Sequence, residues 1–242
     1  METLNLGVNE KFIKLINEAG QADNNKLQSL RREFIMALNN IGPKKFVMIM
    51  SDIFKNNFCI EGCNDIRMPL KRIFNISLRE LEEALLDKKR TLPKEHPISL
   101  LSEDHKDNVV KLKALNLSLS KIRLNMVKDY YSELDTHIRK EEEVLFPALE
   151  KNGMQEHPQN LREEHKGFRE ILTKIIDFLK DANSERNDLT VKGIEKSKDK
   201  FISDISNHIF RETFIFYPAA LEYIDDTREW ENIKKKFDSI SV

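Results

Sequence analysis

Four histidines and two glutamates in this 242-residue chain have the types and spacing of metal ligands. Two of the histidines are each followed four residues later by a glutamate, at His137 and Glu141 and at His208 and Glu212. Residues four apart lie on the same face of a helix, with Cβ atoms about 6 Å apart. Each pair therefore presents an imidazole, which can ligate one metal ion, beside a carboxylate, which can bridge two.

The same residue types interrupt the apolar faces of predicted helices. Around His165, the apolar residues Leu161, Phe168 and Leu172 recur at helical spacing, so the histidine takes a core position. His105 does so in another predicted helix, and Tyr131 is also expected in the core. A single buried histidine is usually just hydrogen-bonded. Four histidines and two carboxylates at one level of a core would cost several kcal/mol without a cation, so a cation is the simplest explanation.

An internal repeat supports one shared site. Residues 135–141 read DTHIRKE and are followed by LFPA, while residues 206–212 read SNHIFRE and are followed by FYPA. The preceding helices match as EDHK at 103–106 and EEHK at 163–166. The chain thus contains two helical hairpins of the form His, then His-x-x-x-Glu. The repeat predicts a pseudo-symmetric pair of metal positions, and it leaves His96 and His157 as surface residues.

Composition favours helices that could position these residues. The chain has only seven glycines and seven prolines, too few for the turns of a β-sandwich or barrel and for a glycine-rich nucleotide loop. Four long helical patterns run approximately over 97–120, 122–151, 158–182 and 190–223, with Gly153 expected to end the second. Short connections between them predict an all-α fold containing an up-down four-helix bundle.

Charge and hydropathy exclude several partners. Forty basic and 41 acidic residues are interspersed, which gives no reason to expect nucleic-acid binding. The longest apolar run, Phe46–Met50, is too short to cross a membrane, and the N-terminus lacks a signal-peptide pattern. We therefore expect a cytoplasmic protein with no membrane partner. Two cysteines are too few for a disulfide scaffold.

Two prolines, Pro93 and Pro97, separate the bundle from the residues before it. We expect a small helical N-terminal module over 1–90 that contains Cys59 and Cys63, a bundle over 91–226 and a C-terminal tail over 227–242. Within the module, Ser77 and Glu80 have the form of a capping box that begins a helix.

The motifs resemble those of the hemerythrin-like, cation-binding four-helix family over about residues 95–225. In that family the series H…HxxxE…H…HxxxE binds a non-haem di-iron centre, and LFP and FYP tripeptides follow the carboxylates. The resemblance implies two iron ions joined by an oxo or hydroxo group. The implied ligands are His105 and His137 for one iron, His165 and His208 for the other, and Glu141 and Glu212 bridging both.

A narrower likeness is to the iron-sulfur cluster repair di-iron proteins. Oxygen-carrying hemerythrins have a fifth histidine where this chain has Leu161, whereas four histidines and two glutamates are similar to the repair proteins' set. Those proteins also have a short helical N-terminal domain with adjacent cysteines. Here Ile60 follows Cys59, and Cys63 comes four positions later. The two cysteines are either small buried hydrophobic residues or a redox or iron-transfer pair.

Three functions remain open at this point. One is repair of, or iron supply to, iron-sulfur centres damaged by nitrosative or oxidative stress. The others are binding or sensing of oxygen or nitric oxide, and an enzyme that reduces nitric oxide or peroxide. The implied partners are iron-sulfur proteins or small diatomic ligands. The ligand types do not separate iron from manganese. Glu133 and Asp204, each one turn before a ligand histidine, either orient the imidazoles or are solvated acids.

Overall fold

A computed structural model describes residues 6–48, 72–88, 91–181 and 188–240. All regular secondary structure in these ranges is helical, so the predicted all-α class is confirmed. The α-helices are α1 Leu6–Gln21, α2 Asn24–Ile41, α3 Leu78–Asp87, α4 Pro97–Leu115, α5 Leu124–Lys140, α6 Phe146–Lys151, α7 Glu156–Lys180, α8 Asp188–Arg211, α9 Tyr217–Tyr223 and α10 Thr227–Ser239. Two π-helical turns, Glu141–Leu145 and Glu212–Phe216, join α5 to α6 and α8 to α9.

Contacts between residues divide the chain into two compact units. One comprises residues 1–76 and 210–222, and the other comprises residues 77–209 and 223–242. The predicted domain boundaries at 90 and 226 stay a prediction.

An aromatic core holds the described part of the N-terminal helices together. The rings of Phe12, Phe34, Phe46 and Phe74 have centroids 5.2 to 5.6 Å apart, mostly edge to face. Edge-to-face geometry brings the positive ring edge to the negative face of the next ring. The helix α2 begins where Asp23 accepts a hydrogen bond from the Lys26 amide at 2.8 Å. The helical character predicted for residues 1–90 is present in the described residues as α1, α2 and α3.

The second unit contains most of the bundle, including α4, α5, α7 and the greater part of α8. The faces predicted from apolar spacing are buried; for example, Leu101, Leu134, Leu172 and Ile205 have at most 3% of their surface exposed. The capping box at Ser77 is present, because Ser77 and Glu80 each accept a hydrogen bond from the other's backbone amide. Gly153 ends α6 with φ +95°, a value that glycine adopts without strain.

The buried tyrosine of α5 is Tyr130, and the expectation that Tyr131 lies in the core is wrong. Tyr130 is 1% exposed, and its ring packs against that of Phe201 with centroids 6.0 Å apart, whereas Tyr131 is half-buried. Both positions fit a helical spacing after Val127. Only Tyr130 lies two turns before His137, and it therefore faces the same side as that imidazole.

The segment after the bundle, expected only as a tail, contains the helix α10. Asp226 begins it by accepting a hydrogen bond from the Arg228 amide, and its buried face is formed by Trp230, Ile233 and Phe237. The Trp230 indole donates to the Ile224 carbonyl at 2.9 Å, and its ring lies 4.7 Å from that of His96. No helix in the described ranges has the length and apolar character that crossing a membrane requires.

Candidate metal centre

Six buried polar side chains form the centre. The imidazoles of His105, His137, His165 and His208 are at most 3% exposed, and Glu141 and Glu212 are fully buried. They come from four segments: α4, α5 with the first π-helical turn, α7, and α8 with the second π-helical turn. All six residues singled out in the sequence as possible ligands are therefore buried in helices.

The six residues form two overlapping groups. In each group, one ligand atom from every member lies within 4.8 Å of those of the others. The first group contains Glu141, His165, His208 and Glu212, and the second contains His105, His137 and Glu212. Glu212 belongs to both groups, which is the placement expected of a carboxylate that bridges two ions.

Carboxylates fix the outward-facing nitrogen of three imidazoles. The Nδ1 atoms of His137, His165 and His208 donate to Asp104 at 3.3 Å, Glu142 at 2.9 Å and Glu164 at 2.8 Å, respectively. Ionised carboxylates only accept hydrogen bonds, so in each ring the proton sits on Nδ1. The Nε2 atom of each ring is then left with a lone pair that can bind a metal.

Two of these lone pairs face each other. The Nε2 atoms of His165 and His208 are 3.0 Å apart, and Glu141 Oε2 lies 3.4 Å from the same atom of His165. Two acceptor nitrogens and a carboxylate this close repel one another unless a proton or a cation lies among them. Nitrogens bound at right angles to one ion, each at about 2.1 Å, are about 3.0 Å apart. The Nε2 atom of His137 has no hydrogen-bond partner within the described residues. These residues fit a metal cation.

Cations stabilise the ionised form of the supporting acids. Burial by itself would raise the pKa of Asp104, but the hydrogen bonds from His137 and Lys140 and the charge of Lys140 outweigh it and lower that pKa to about 2. Burial also opposes ionisation of Glu142, and there His165 and Arg169 lower the pKa. The acceptors beside these two imidazoles are therefore charged at neutral pH.

Glu141 and Glu212 each begin a π-helical turn. The amides of Phe146 and Tyr217 donate to the carbonyls of Glu141 and Glu212, five residues earlier instead of four. The next residue in each copy is a proline, which has no amide hydrogen and whose ring displaces the carbonyl four residues before it. The LFP and FYP tripeptides thus explain why both helices widen immediately after the carboxylate.

Widening allows consecutive glutamates to reach one imidazole. Glu141 Oε2 lies 3.4 Å from His165 Nε2, and Glu142 Oε1 lies 2.9 Å from His165 Nδ1. The ring of His165 is also stacked on Phe146, with centroids 5.8 Å apart. His165 is therefore held on both nitrogens and on one face.

Glu133 and Asp204, expected either to orient the imidazoles or to be solvated acids, pair with lysines. Glu133 forms an ion pair with Lys111, and Asp204 forms one with Lys200. Both acids are at least 40% exposed, so salt bridges between solvated side chains account for them. The acids beside the imidazoles were missed, although one signal was available: Asp104 directly precedes His105 in the first copy of the repeat, and Glu164 directly precedes His165 in the second.

Three other residues singled out in the sequence lie apart from the centre or outside the described residues. His96 is half-buried and accepts a hydrogen bond from the Ile98 amide at 3.2 Å, so it caps α4 instead of lying free on the surface. Burial lowers its pKa. Cys59 and Cys63 lie outside the described residues.

Comparison with known proteins agrees with this geometry. The profile of the hemerythrin HHE cation-binding domain matches residues 96–220, which is more than half of the chain and contains all six buried His and Glu residues. No curated protein matches the chain. Since members of this family bind metal cations in this domain, the buried His and Glu groups are its candidate cation site. The chain belongs to the hemerythrin HHE cation-binding family.

Proposed function

We propose that this chain is a non-haem di-iron protein that repairs iron-sulfur centres damaged by nitrosative or oxidative stress, or supplies iron to them. The observation that carries the di-iron part is the pair of overlapping His and Glu groups that share Glu212. One ion would be held by His105 and His137, the other by His165 and His208. Glu141 and Glu212 would span both ions.

Bound there, iron would supply redox and Lewis-acid chemistry at positions that six protein ligands do not fill. The protein's own part is to keep the ligands ready for it. Asp104, Glu142 and Glu164 hold the protons on the outer imidazole nitrogens, so the inner nitrogens do not have to lose a proton when metal binds. The rings of Phe146 and Phe168 pack against His165 and His208 and exclude water from them.

Release of iron, instead of its permanent retention, is supported by Leu161. This residue lies one turn before His165 and is buried, where an additional imidazole would give that ion a further strong donor. Without it that ion has one donor fewer and exchanges more readily than the same ion in an oxygen carrier, which has the additional histidine. That property suits a protein that gives iron up better than one that stores oxygen reversibly.

The test measures iron content and then iron transfer. Protein loaded with Fe²⁺ without oxygen should contain about two iron ions per chain, and Glu141→Ala or Glu212→Ala should lose the pair. Glu143→Ala is the matched control, because this neighbouring glutamate is exposed and pairs with Arg139. The loaded protein should then rebuild the cluster of an apo iron-sulfur protein.

Two results would contradict the proposal. Retention of both ions in the Glu141 and Glu212 variants would remove the bridging assignment. A wild-type protein that binds oxygen reversibly over many cycles, keeps its iron and transfers none would favour the oxygen or nitric oxide binding function. Turnover of nitric oxide or peroxide without transfer would favour the reductase.

The cysteines and the cellular location complete the proposal. If Cys59 and Cys63 form a redox or iron-transfer pair, the double variant Cys59→Ser, Cys63→Ser should keep its iron but fail to restore clusters in stressed cells. Unchanged restoration of clusters would indicate that the two cysteines are packing residues.

The cytoplasm is the expected location, and fractionation of cells that express the protein tests it.

A further inference from the structure

The two copies of the repeat have equivalent ligands but different supporting residues. An offset of 71 residues relates the second helices of the two copies, and an offset of 60 relates the first helices. Under these offsets Asp104 corresponds to Glu164, and Lys140 corresponds to Arg211. The acid directly before the histidine and the basic residue directly before the glutamate are thus present in both copies.

A three-residue ion network has no such equivalent. Arg169 Nε donates to Asp135 at 2.7 Å, and Arg169 Nη1 donates to both oxygens of Glu142 at 3.0 and 3.2 Å. Glu142 in turn accepts from His165 Nδ1 at 2.9 Å. We call Asp135, Arg169 and Glu142 the Arg169 network. It connects α5, the first π-helical turn and α7 to one imidazole.

The equivalent positions carry no charge. Asp135 corresponds to Ser206, Arg169 to Val109 and Glu142 to Thr213. All three of these residues are buried. All three charged residues of the Arg169 network thus correspond to uncharged residues, so no part of the network has a charged equivalent.

We propose that the Arg169 network makes the two metal positions unequal, so that the ion on His165 and His208 is held more tightly than the ion on His105 and His137. This inference rests on the proposed di-iron function. Arg169 acts as a positioning residue, because it touches Glu142 and not the imidazole itself.

Two physical effects support the difference. A carboxylate that accepts the Nδ1 proton makes the imidazole a stronger donor and fixes its orientation. Arg169 donates from Nη1 to both oxygens of Glu142 and from Nε to Asp135, so the planar guanidinium is fixed on α5 and leaves the Glu142 carboxylate little rotational freedom. Independently, the group that contains His165 gathers four possible ligands, whereas the group that contains His105 gathers three.

Release of iron to a chelator tests the inference. Full-length protein, loaded with Fe²⁺ without oxygen and shown to contain two ions per chain, is mixed with excess ferrozine. Wild type should release iron in two phases of equal size. Arg169→Gln and Glu142→Gln should speed the slow phase about 10- to 100-fold, the usual effect of losing an outer-shell partner, and leave the fast phase unchanged. Arg169→Lys keeps the charge but cannot contact Asp135 and Glu142 through a planar guanidinium, so its slow-phase rate should lie between those of wild type and Arg169→Gln.

The controls separate positioning from general loosening of the fold. Arg79→Gln removes an exposed arginine of α3 that pairs with the neighbouring Glu83, and it should leave both phases unchanged. A purely structural role would lower the Tm and speed both phases alike, and that result would overturn the inference. If Arg169→Gln does not fold, Glu142→Gln still tests the inference, because it keeps the shape of the side chain.

Different results would contradict the inference and the proposed function. Two ions per chain released in a single phase from wild type would overturn the inference and leave the di-iron centre intact. Fewer than two ions per chain before ferrozine is added would overturn the proposed function.

Discussion

Buried polar groups have different partners in the aromatic core of the N-terminal helices and in the His and Glu layer of the bundle. In the former, the buried Arg31 guanidinium donates from Nε to the Ile73 carbonyl at 2.9 Å and from Nη2 to the Arg72 carbonyl at 3.2 Å. In the latter, the acceptor nitrogens of His165 and His208 face each other. The first core satisfies its buried charge with backbone carbonyls, whereas the second brings together acceptors that a cation could satisfy.

Metal binding should therefore affect stability more than any single substitution. A ligand present at 1,000 times its Kd stabilises the folded state by about 4 kcal/mol per site, provided that the unfolded chain does not bind it. We expect anaerobic Fe²⁺ to raise the free energy of unfolding by that order, and a chelator to reverse the gain. Urea denaturation with and without Fe²⁺ measures the difference. Equal curves would mean that the polar layer needs no cation.

Truncating a residue of the aromatic core should lower the stability of the protein without changing its iron content. Phe34 is 1% exposed and contacts three other rings, so Phe34→Ala should cost about 3–5 kcal/mol of unfolding free energy. Iron per folded chain should not change, since neither Phe34 nor the three rings that it contacts is a proposed ligand. Denaturation followed by elemental analysis of the folded fraction checks both parts. Loss of iron from folded Phe34→Ala would show that the two cores depend on each other.

Removing one buried charge should have effects of opposite sign with and without metal. Replacing buried ionic groups by neutral ones of similar volume is often neutral or stabilising by about 1–4 kcal/mol. We expect Glu141→Gln to unfold at equal or higher urea concentration than wild type when metal-free, and at lower concentration when Fe²⁺ is present. The exposed Glu143→Gln should stay within about 0.5 kcal/mol of wild type in both states. Destabilisation of metal-free Glu141→Gln would show that the carboxylate serves the fold.

The smallest expected effect concerns Tyr130. Its hydroxyl is buried with no hydrogen-bond partner in the described part of the chain, and burial raises its pKa. An unsatisfied buried hydroxyl is a cost, so Tyr130→Phe should be neutral or stabilising by up to about 1 kcal/mol. Tyr131→Phe, at a half-buried position, should change nothing measurable. A clearly destabilised Tyr130→Phe would reveal a partner for the hydroxyl.

Some features were predictable because they depend on one helix at a time. His165 among Leu161, Phe168 and Leu172 stands out as a polar residue on an apolar period, and all four are buried. The capping box at Ser77 and the helix end at Gly153 also depend only on local sequence. The family match over residues 96–220 confirms the family-level resemblance, and the narrower likeness to the repair proteins stays a prediction.

Other features depend on contacts between helices. Glu142 and Arg169 lie on the edges of their helix faces, where charged residues are common, and nothing local shows that they meet across two helices. The choice of Tyr130 over Tyr131 turned on a rotation that apolar spacing alone does not fix. Glu133 shares a helix face with His137, yet Lys111 from another helix takes it as a partner. Sequence periodicity predicted the burial of the six His and Glu residues and missed the acids and the arginine that surround them.

Anomalous diffraction at the iron absorption edge, from crystals of the Fe²⁺-loaded full-length protein, tests the di-iron centre most directly. We predict two anomalous peaks per chain, one bonded to His105 and His137 and the other to His165 and His208, with Glu212 bonded to both. A single peak, peaks bonded to other residues, or Glu212 bonded to neither ion would contradict the di-iron centre proposed here.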